Sequence, residues 1–361
     1  MTATPVFASK SYQTTAHAAF LSQRRFGSLD GLRATSIVAV IWHHTAPLAL
    51  AGATIVNTAT HGVTLFFAIS GFLITTLVLR ERDRNGEIDL KAFYVRCALH
   101  IFSLYYAVLA LYIVIVLLLE RDLAFRQDFF YNLRYFTRYT SNIFVRLDGR
   151  VIFCFSWSLA TEEQFYLVWP PLLRLIRRPE QAFVLLLAAF VILVADQFFA
   201  TQLFSGVPGG VPIAIVGGVL LAICLHMKRT FRIIYTVLGR PWSVPICASL
   251  LLLSLLQSPA ATGIYIFSVS LVGACVIHED HPLVPTFSLP MVSYIGTISY
   301  GMYLLHMLCK NASLKLLSVA RLSTDRIAVF ALTLVVTVLV AGLSFRYFES
   351  YFLKLKTSHT R

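Results

Sequence analysis

Arg33 and His44 lie eleven residues apart in a stretch that is otherwise almost wholly apolar, running from Leu32 through Ile41-Trp42-His43-His44. A guanidinium can grip a phosphate through a two-pronged fork, and a neutral imidazole can take a proton from a hydroxyl. At about 100° per residue, eleven steps return to within about 20° of the same helical face and rise about 16 Å, roughly half the hydrocarbon thickness of a bilayer. His43 points about 80° away from that line. Ionisable groups at such depth are costly in lipid and mark functional sites by default. Arg33 alone could be an anchor whose stem snorkels to the membrane surface, but the two histidines lie too deep for that.

A second set of polar groups stands in Trp157-Ser158-Leu159-Ala160-Thr161-Glu162-Glu163-Gln164-Phe165-Tyr166. Glu162 and Tyr166 are neighbours four residues apart on one helical face. If Trp157 marks the outer interface, Glu162 lies about 7 Å and Tyr166 about 13 Å below it, a depth comparable to that of His44. A carboxylate, a phenol and an imidazole are therefore expected to converge near mid-membrane. His44 would serve as general base with Glu162 or Tyr166 orienting or polarising, although a proton relay would use the same groups.

Other features read more plainly. Ser70-Gly71, inside an apolar run, is a packing site for a close helix approach when taken alone. The basic tract Arg80-Glu81-Arg82-Asp83-Arg84 and the later Arg96 and His100 suit a cytoplasmic loop, or a holder of nucleotide phosphates. His278-Glu279-Asp280-His281 spaces two histidines for a metal, but a solvated loop is the favoured reading and no metal is expected. Ser28 is a candidate helix cap. The six cysteines form no CxxC pair and are read as small apolar residues.

These residues need a membrane scaffold to hold them. The chain has 361 residues, 58% hydrophobic and 13% charged, about half the charge of a soluble domain. Ten candidate spans are predicted, at 33–51, 61–80, 98–119, 157–176, 182–199, 211–227, 243–257, 260–278, 291–310 and 327–347. The fold class is thus all-α and polytopic. Residues 1–27 form a cytoplasmic N-terminal segment without an apolar signal region, 28–352 a ten-span domain, and 353–361 a short cytoplasmic tail with no soluble domain appended. With the N-terminus inside, inner segments hold 20 Lys and Arg against 4 on short outer loops, and 6 more fall in segment 120–156. This bias sets the orientation and accounts for the net charge of +13 without nucleic acid. Segment 120–156, with Phe129-Phe130-Tyr131 and Tyr135-Phe136-Thr137-Arg138-Tyr139, is either an interfacial helix or a cap or re-entrant segment lining a wet cavity.

In order along the chain, these segments resemble the acyltransferase 3 family of integral membrane O-acyltransferases. The resemblance rests on Leu29-Asp30-Gly31-Leu32-Arg33-Ala34 with His44, Gly62-Val63, Leu65-Phe66-Phe67 and Ser70-Gly71-Phe72-Leu73-Ile74-Thr75. It continues through Phe93-Tyr94 with Arg96, Trp157-Ser158-Leu159 with Glu162 and Phe165-Tyr166, Ile298-Ser299-Tyr300, Tyr303-Leu304 with His306, and Arg346-Tyr347 with Glu349. It implies a ten-helix enzyme of the bacterial inner membrane. Such an enzyme moves an acyl group, usually acetyl, from cytosolic acyl-CoA to a hydroxyl of a cell-envelope saccharide or glycolipid. By similarity, His44 is the general base, with Glu162 and Tyr166 positioning the acceptor or the imidazole. Arg33 and Arg96 engage the coenzyme, and Ser70 and His100 fall in the same donor-binding set.

The sequence departs from the family pattern at Thr64, where Asp is common, at Cys97 and His100, where further arginines are favoured, and at Ser103, where Pro is favoured. His100 could stand in for a lost cation if protonated beside a phosphate. Two other readings stay open: a transporter or flippase with His44 and Glu162 as proton relay, and an acyl-CoA-binding homologue without turnover. A transporter of repeated halves should show paired Gly/Pro-interrupted spans, and no such pairing is visible.

Overall fold

The computed structural model describes residues 10–23, 25–45, 61–146, 151–176, 178–199, 212–257 and 261–358, and these contain helices and no strands. In chain order the helices are α1 (Lys10–Ser22), α2 (Gly27–Thr45), α3 (Gly62–Asn85), α4 (Leu90–Leu119), α5 (Leu123–Phe136), α6 (Ser141–Phe144), α7 (Ser156–Leu175) and α8 (Pro179–Phe199). They continue with α9 (Ile213–His226), α10 (Lys228–Leu238), α11 (Ser243–Gln257), α12 (Ala261–Ile277), α13 (Val284–Phe287), α14 (Pro290–Thr297), α15 (Ser299–Val319) and α16 (Arg326–Ser344). A wide turn at Phe345–Glu349 carries α16 into α17 (Ser350–Ser358), and a similar one at Ala98–Phe102 lies inside α4.

Local chemistry sets many of the ends. Asp89, Asp122 and Asp325 each accept a backbone N–H in the first turn of α4, α5 and α16, at 2.9 Å. Gly86 ends α3 in the left-handed conformation at φ 79°, which glycine adopts without strain. On α2, Leu29, Leu32, Ile37, Val40 and Ile41 recur at helical spacing and are all buried.

A helix lies on each of the ten predicted segments. By length and apolarity, four helical stretches qualify as membrane crossings, namely Gly62–Asn85, Leu90–Leu119, Pro179–Phe199 and Arg326–Leu355, or five if α9 and α10 count as one bent span. The helices α2, α7 and α15, which carry Arg33 and His44, Glu162 and Tyr166, and His306, are not among them. Three details refine the predicted spans. The ninth span is broken at Ile298, between α14 and α15, where Gly296 presses on the Asp30 carbonyl and a Cβ would lie 2.0 Å from that oxygen. The segment after the sixth span, predicted to lie inside, is helical. It is α10, turned 109° from α9, with Lys228, Arg229 and Arg232 on a short helix that exposes Ile233 and Val237. The described part of α2 ends at Thr45, so His44 sits in its last turn; the rest of the predicted first span, 46–51, lies outside the described residues.

Two buried clusters form the core. One joins the start of α2 to α3, α9 and α12; the other joins the rest of α2 to α4, α5, the start of α7, α15 and α16. Segment 120–156 belongs to the second cluster. Phe129 and Phe136 of α5 are buried, and the Tyr105 and Tyr106 hydroxyls donate to the Phe136 and Thr137 carbonyls, both at 2.8 Å. Tyr105 and Tyr106 stand midway along α4, and Gln164, well inside α7, donates to the Tyr139 carbonyl at 2.7 Å, so the described part of the segment folds back alongside these helices.

At the other end, contacts tie together the segments predicted to lie inside. Arg80 donates to the Gln23 carbonyl, and Gly27 N–H donates to Glu279. Arg82 reaches the Ile176 carbonyl, Arg174 pairs with Glu87, and His226 lies 3.3 Å from Asp83.

Candidate functional site

The site forms where α3 and α7 face each other across the junction of the two core clusters. Its geometry begins with glycines. A Cβ on Gly71 would sit 2.3 Å from the Ile215 carbonyl oxygen, and one on Gly218 would sit 2.2 Å from that of Ala68. These contacts press α3 against α9 backbone to backbone. The next residue round the helix, Ser70, is thereby turned toward α7, where its hydroxyl donates to Glu162 Oε1 at 2.9 Å. Ser70-Gly71 therefore does more than pack: Gly71 makes the close approach and Ser70 enters the site.

Further bonds fix the surrounding walls. Trp169 Nε1 of α7 donates to Thr75 Oγ1 of α3 at 2.9 Å, and the Tyr94 hydroxyl of α4 donates to the Leu167 carbonyl at 2.8 Å. Tyr300 of α15 reaches the Ile101 carbonyl of α4 at 2.8 Å. The cavity between these walls, open at one end, measures about 870 Å³. Arg33, Ser70, Arg96, His100, Glu162 and Tyr166 all line it.

At its mouth are Glu81, Arg84, Asn85 and Asp89. Arg96 pairs with Glu81 at 2.7 Å, and Arg33 lies 3.6 Å from Asp30, which Arg25 also engages at 2.6 Å. At the opposite end, Ser158 and Tyr303 are hydrogen-bonded at 2.6 Å, and the Tyr303 hydroxyl also reaches the Phe155 carbonyl at 3.1 Å.

His44 is not part of the lining. Its Nδ1 donates to the Val40 carbonyl at 2.9 Å and lies 3.3 Å from His306 Nε2. His306 in turn packs against Tyr303, with ring centroids 5.6 Å apart, so two rings in contact lead from the cavity wall to His44. The expected convergence thus divides into two groups. Glu162 and Tyr166 join Ser70 within the cavity, while His44 meets His306 behind Tyr303, because Tyr303 and Phe155 fill the space between them.

Sequence reasoning passed over several of these participants. Glu163 is buried, lines the cavity, and makes no hydrogen bond or ion pair among the described residues. Its only signal was its place beside Glu162. Tyr303 and His306 stood within quoted motifs, but nothing in one dimension pairs them with Ser158 or His44. Glu81 was visible only as one acidic residue in a basic tract.

The loop at 278–281, read as solvated, is so only in part: Glu279 and Asp280 are exposed, but His281 is not. His281 is buried and bonded to Ser28 Oγ at 2.9 Å, so the loop is docked on the start of α2. Burial lowers the His281 pKa, with His278 adding to the effect, and burial raises that of Glu279 despite its bond to Gly27. Among the described residues, no group of three His, Cys, Asp or Glu is placed to hold a metal.

A cavity that gathers cations at its mouth and a serine-held carboxylate deeper in matches the order of motifs along the chain. The acyltransferase domain of the acyltransferase 3 family matches residues 26–346. The chain belongs to that family. The peptidoglycan O-acetyltransferase OatA of Listeria monocytogenes is 29% identical over 91% of this chain and 56% of its own length. A putative O-acetyltransferase of Staphylococcus aureus strain COL is 26% identical over 93% of this chain and 58% of its own length. The putative peptidoglycan O-acetyltransferase YrhL of Bacillus subtilis is 26% identical over 78% and 48%. The chain therefore spans about half the length of these relatives. No solved structure matches it.

Proposed function

We propose that this chain is a ten-span O-acetyltransferase of a bacterial inner membrane. It would take acetyl from acetyl-CoA on the cytosolic side and deliver it to a hydroxyl of an envelope saccharide, peptidoglycan being the first candidate. The observation that carries this reading is the single cavity lined by Arg33, Ser70, Arg96, His100, Glu162 and Tyr166. Its volume suits an extended coenzyme arm, and Arg33, Arg84 and Arg96 offer guanidinium groups to phosphates at the mouth. The segments richest in Lys and Arg meet at that same end of the bundle, which supports a cytosolic mouth.

In the transfer, His44 Nε2 takes the proton of the acceptor hydroxyl, and the oxygen attacks the thioester carbonyl. The carbon–sulfur bond breaks, and the departing sulfur recovers the proton from His44. For the thioester to meet His44, the Ser158–Tyr303 pair at the inner end of the cavity must part. Glu162, held by Ser70, positions the groups that pass it.

The test uses purified full chain with acetyl-CoA and isolated peptidoglycan sacculi, following free thiol and ester-linked acetyl together. Stoichiometric release of both supports the reading. Coenzyme binding without either product would leave a binding protein, and neither binding nor turnover would remove the acyltransferase assignment for this chain.

A further inference from the structure

We propose that His306 is a positioning residue for His44, fixing which nitrogen of that imidazole carries the proton; this rests on the reading of His44 as general base. The argument starts from two backbone carbonyls. His306 Nδ1 lies 2.5 Å from the Tyr303 carbonyl oxygen, and His44 Nδ1 lies 2.9 Å from that of Val40. A carbonyl oxygen only accepts, so both Nδ1 atoms must carry hydrogen. A neutral His306 then presents a bare Nε2 lone pair, and this atom faces His44 Nδ1 at 3.3 Å.

His44 Nδ1–H is thus shared between two acceptors, one from its own helix and one from α15. The bond to Val40 already favours hydrogen on Nδ1, and the acceptor from α15 reinforces that tautomer. The second acceptor holds it from across the helix boundary. The consequence is chemical: His44 Nε2 is left without hydrogen and becomes the atom able to receive the acceptor's proton. When it does, the imidazolium Nδ1–H bond to His306 becomes charge-assisted and stronger, stabilising the ring at the moment of attack.

His306 is well built for this. It is 1% exposed, and the rings of Phe155 and Tyr303 pack against it at 5.4 and 5.6 Å between centroids. Tyr303 also lines the cavity, so the residue that closes the donor pocket contributes the carbonyl that sets the His306 tautomer. Substrate movement past Tyr303 and the orientation of the base are then mechanically linked.

The experiment compares His306→Leu, His306→Asn and His306→Gln in the full chain, with acetyl-CoA and isolated sacculi as substrates and melting temperature as a folding control. Glutamine can place its carbonyl oxygen near the position of Nε2, whereas asparagine reaches only as far as Nδ1. His306→Leu and His306→Asn should lower kcat by about 100-fold at unchanged KM for acetyl-CoA, within the range of lost acid–base catalysis. His306→Gln should recover kcat to within about tenfold of wild type, and adding His306→Leu to His44→Ala should cause no further loss. Leucine and glutamine variants of equal activity, or losses that multiply with His44→Ala, would overturn the positioning role. If His44→Ala itself keeps full turnover, the base assignment fails instead, whatever the His306 variants do.

Discussion

At the residue scale, the site is a contest between charges for partners. Arg96 is held by Glu81 across 2.7 Å, so any phosphate that binds Arg96 must displace that carboxylate. Replacing Glu81→Gln should therefore lower KM for acetyl-CoA by about fivefold, the scale of a partly buried ion pair of about 1 kcal/mol. An unchanged KM with a lower melting temperature would make the pair a structural brace. The two neighbouring histidines give a sharper contrast: His44→Ala should abolish ester formation without loss of folding, while His43→Ala should retain a good part of it. Equal tolerance of both would count against His44 as base. Ser70→Ala should lower turnover because it removes the donor of the 2.9 Å bond that orients the carboxylate, and Glu162→Gln because it removes the negative charge while keeping an oxygen that accepts from Ser70. The cavity placement of Arg33, Glu162 and Tyr166 was legible because each interrupts an apolar run and needs somewhere wet to go, whereas Ser70 taken alone read as a packing residue. The His44–His306 contact was not, since it joins residues 262 positions apart and depends on how α15 enters the bundle.

At the scale of elements, close helix contacts set the register on which the site depends. Val at Gly71 or at Gly218 would drive Cβ into a backbone carbonyl of the facing helix, and a backbone cannot step aside as a side chain can. We expect Gly71→Val to lower stability by about 1–3 kcal/mol, typical of overpacking, and to lower turnover further by swinging Ser70 away from Glu162. Thermal unfolding and activity at permissive temperature separate the two effects. The docked loop before α13 makes a pH prediction. The lowered pKa of His281 means that the unfolded chain binds more protons once the pH falls below about 6.5. The stabilisation from this contact is therefore present above that pH and lost below it. Glu279, whose pKa is raised, acts in the opposite sense, its share being lost as pH rises. Comparison with His281→Gln isolates the histidine: amide protection at the start of α2 should fall between pH 7 and 5.5 in the wild type and stay level in the variant. Helix existence was readable from apolar runs at the ten predicted segments, but not for α1, α5 and α10, which carry no such run. The break at Ile298 and the turn into α10 were not readable either, because the first arises from a carbonyl pressed on Gly296 and the second alternates polar and apolar faces too briefly for a span-length window.

At the scale of the whole molecule, the contacts that tie Gln23, Gly27, Arg80, Asp83, Glu87, Ile176, His226 and Glu279 to one another gather the predicted inner segments at a single end of the bundle. The described part of segment 120–156 folds back from the far end of α4 to its middle, where Tyr105 and Tyr106 donate to it. Charge counting alone could assign sides but not show that these segments meet, since the Lys and Arg bias is a one-dimensional signal. The same geometry makes the orientation testable without any substrate. Glu87 and Ser323 are both exposed, one beside the cavity mouth and the other in the turn before α16. With a cytosolic mouth, a membrane-impermeant maleimide added to intact cells should label Ser323→Cys and spare Glu87→Cys, and permeabilisation should expose both; the unsubstituted chain corrects for native cysteines such as Cys154. The reverse pattern would place the donor pocket on the outer face, where acetyl-CoA is not supplied, and the route from cytosolic thioester to envelope hydroxyl would have to run the other way through the same wall of Tyr303 and Ser158.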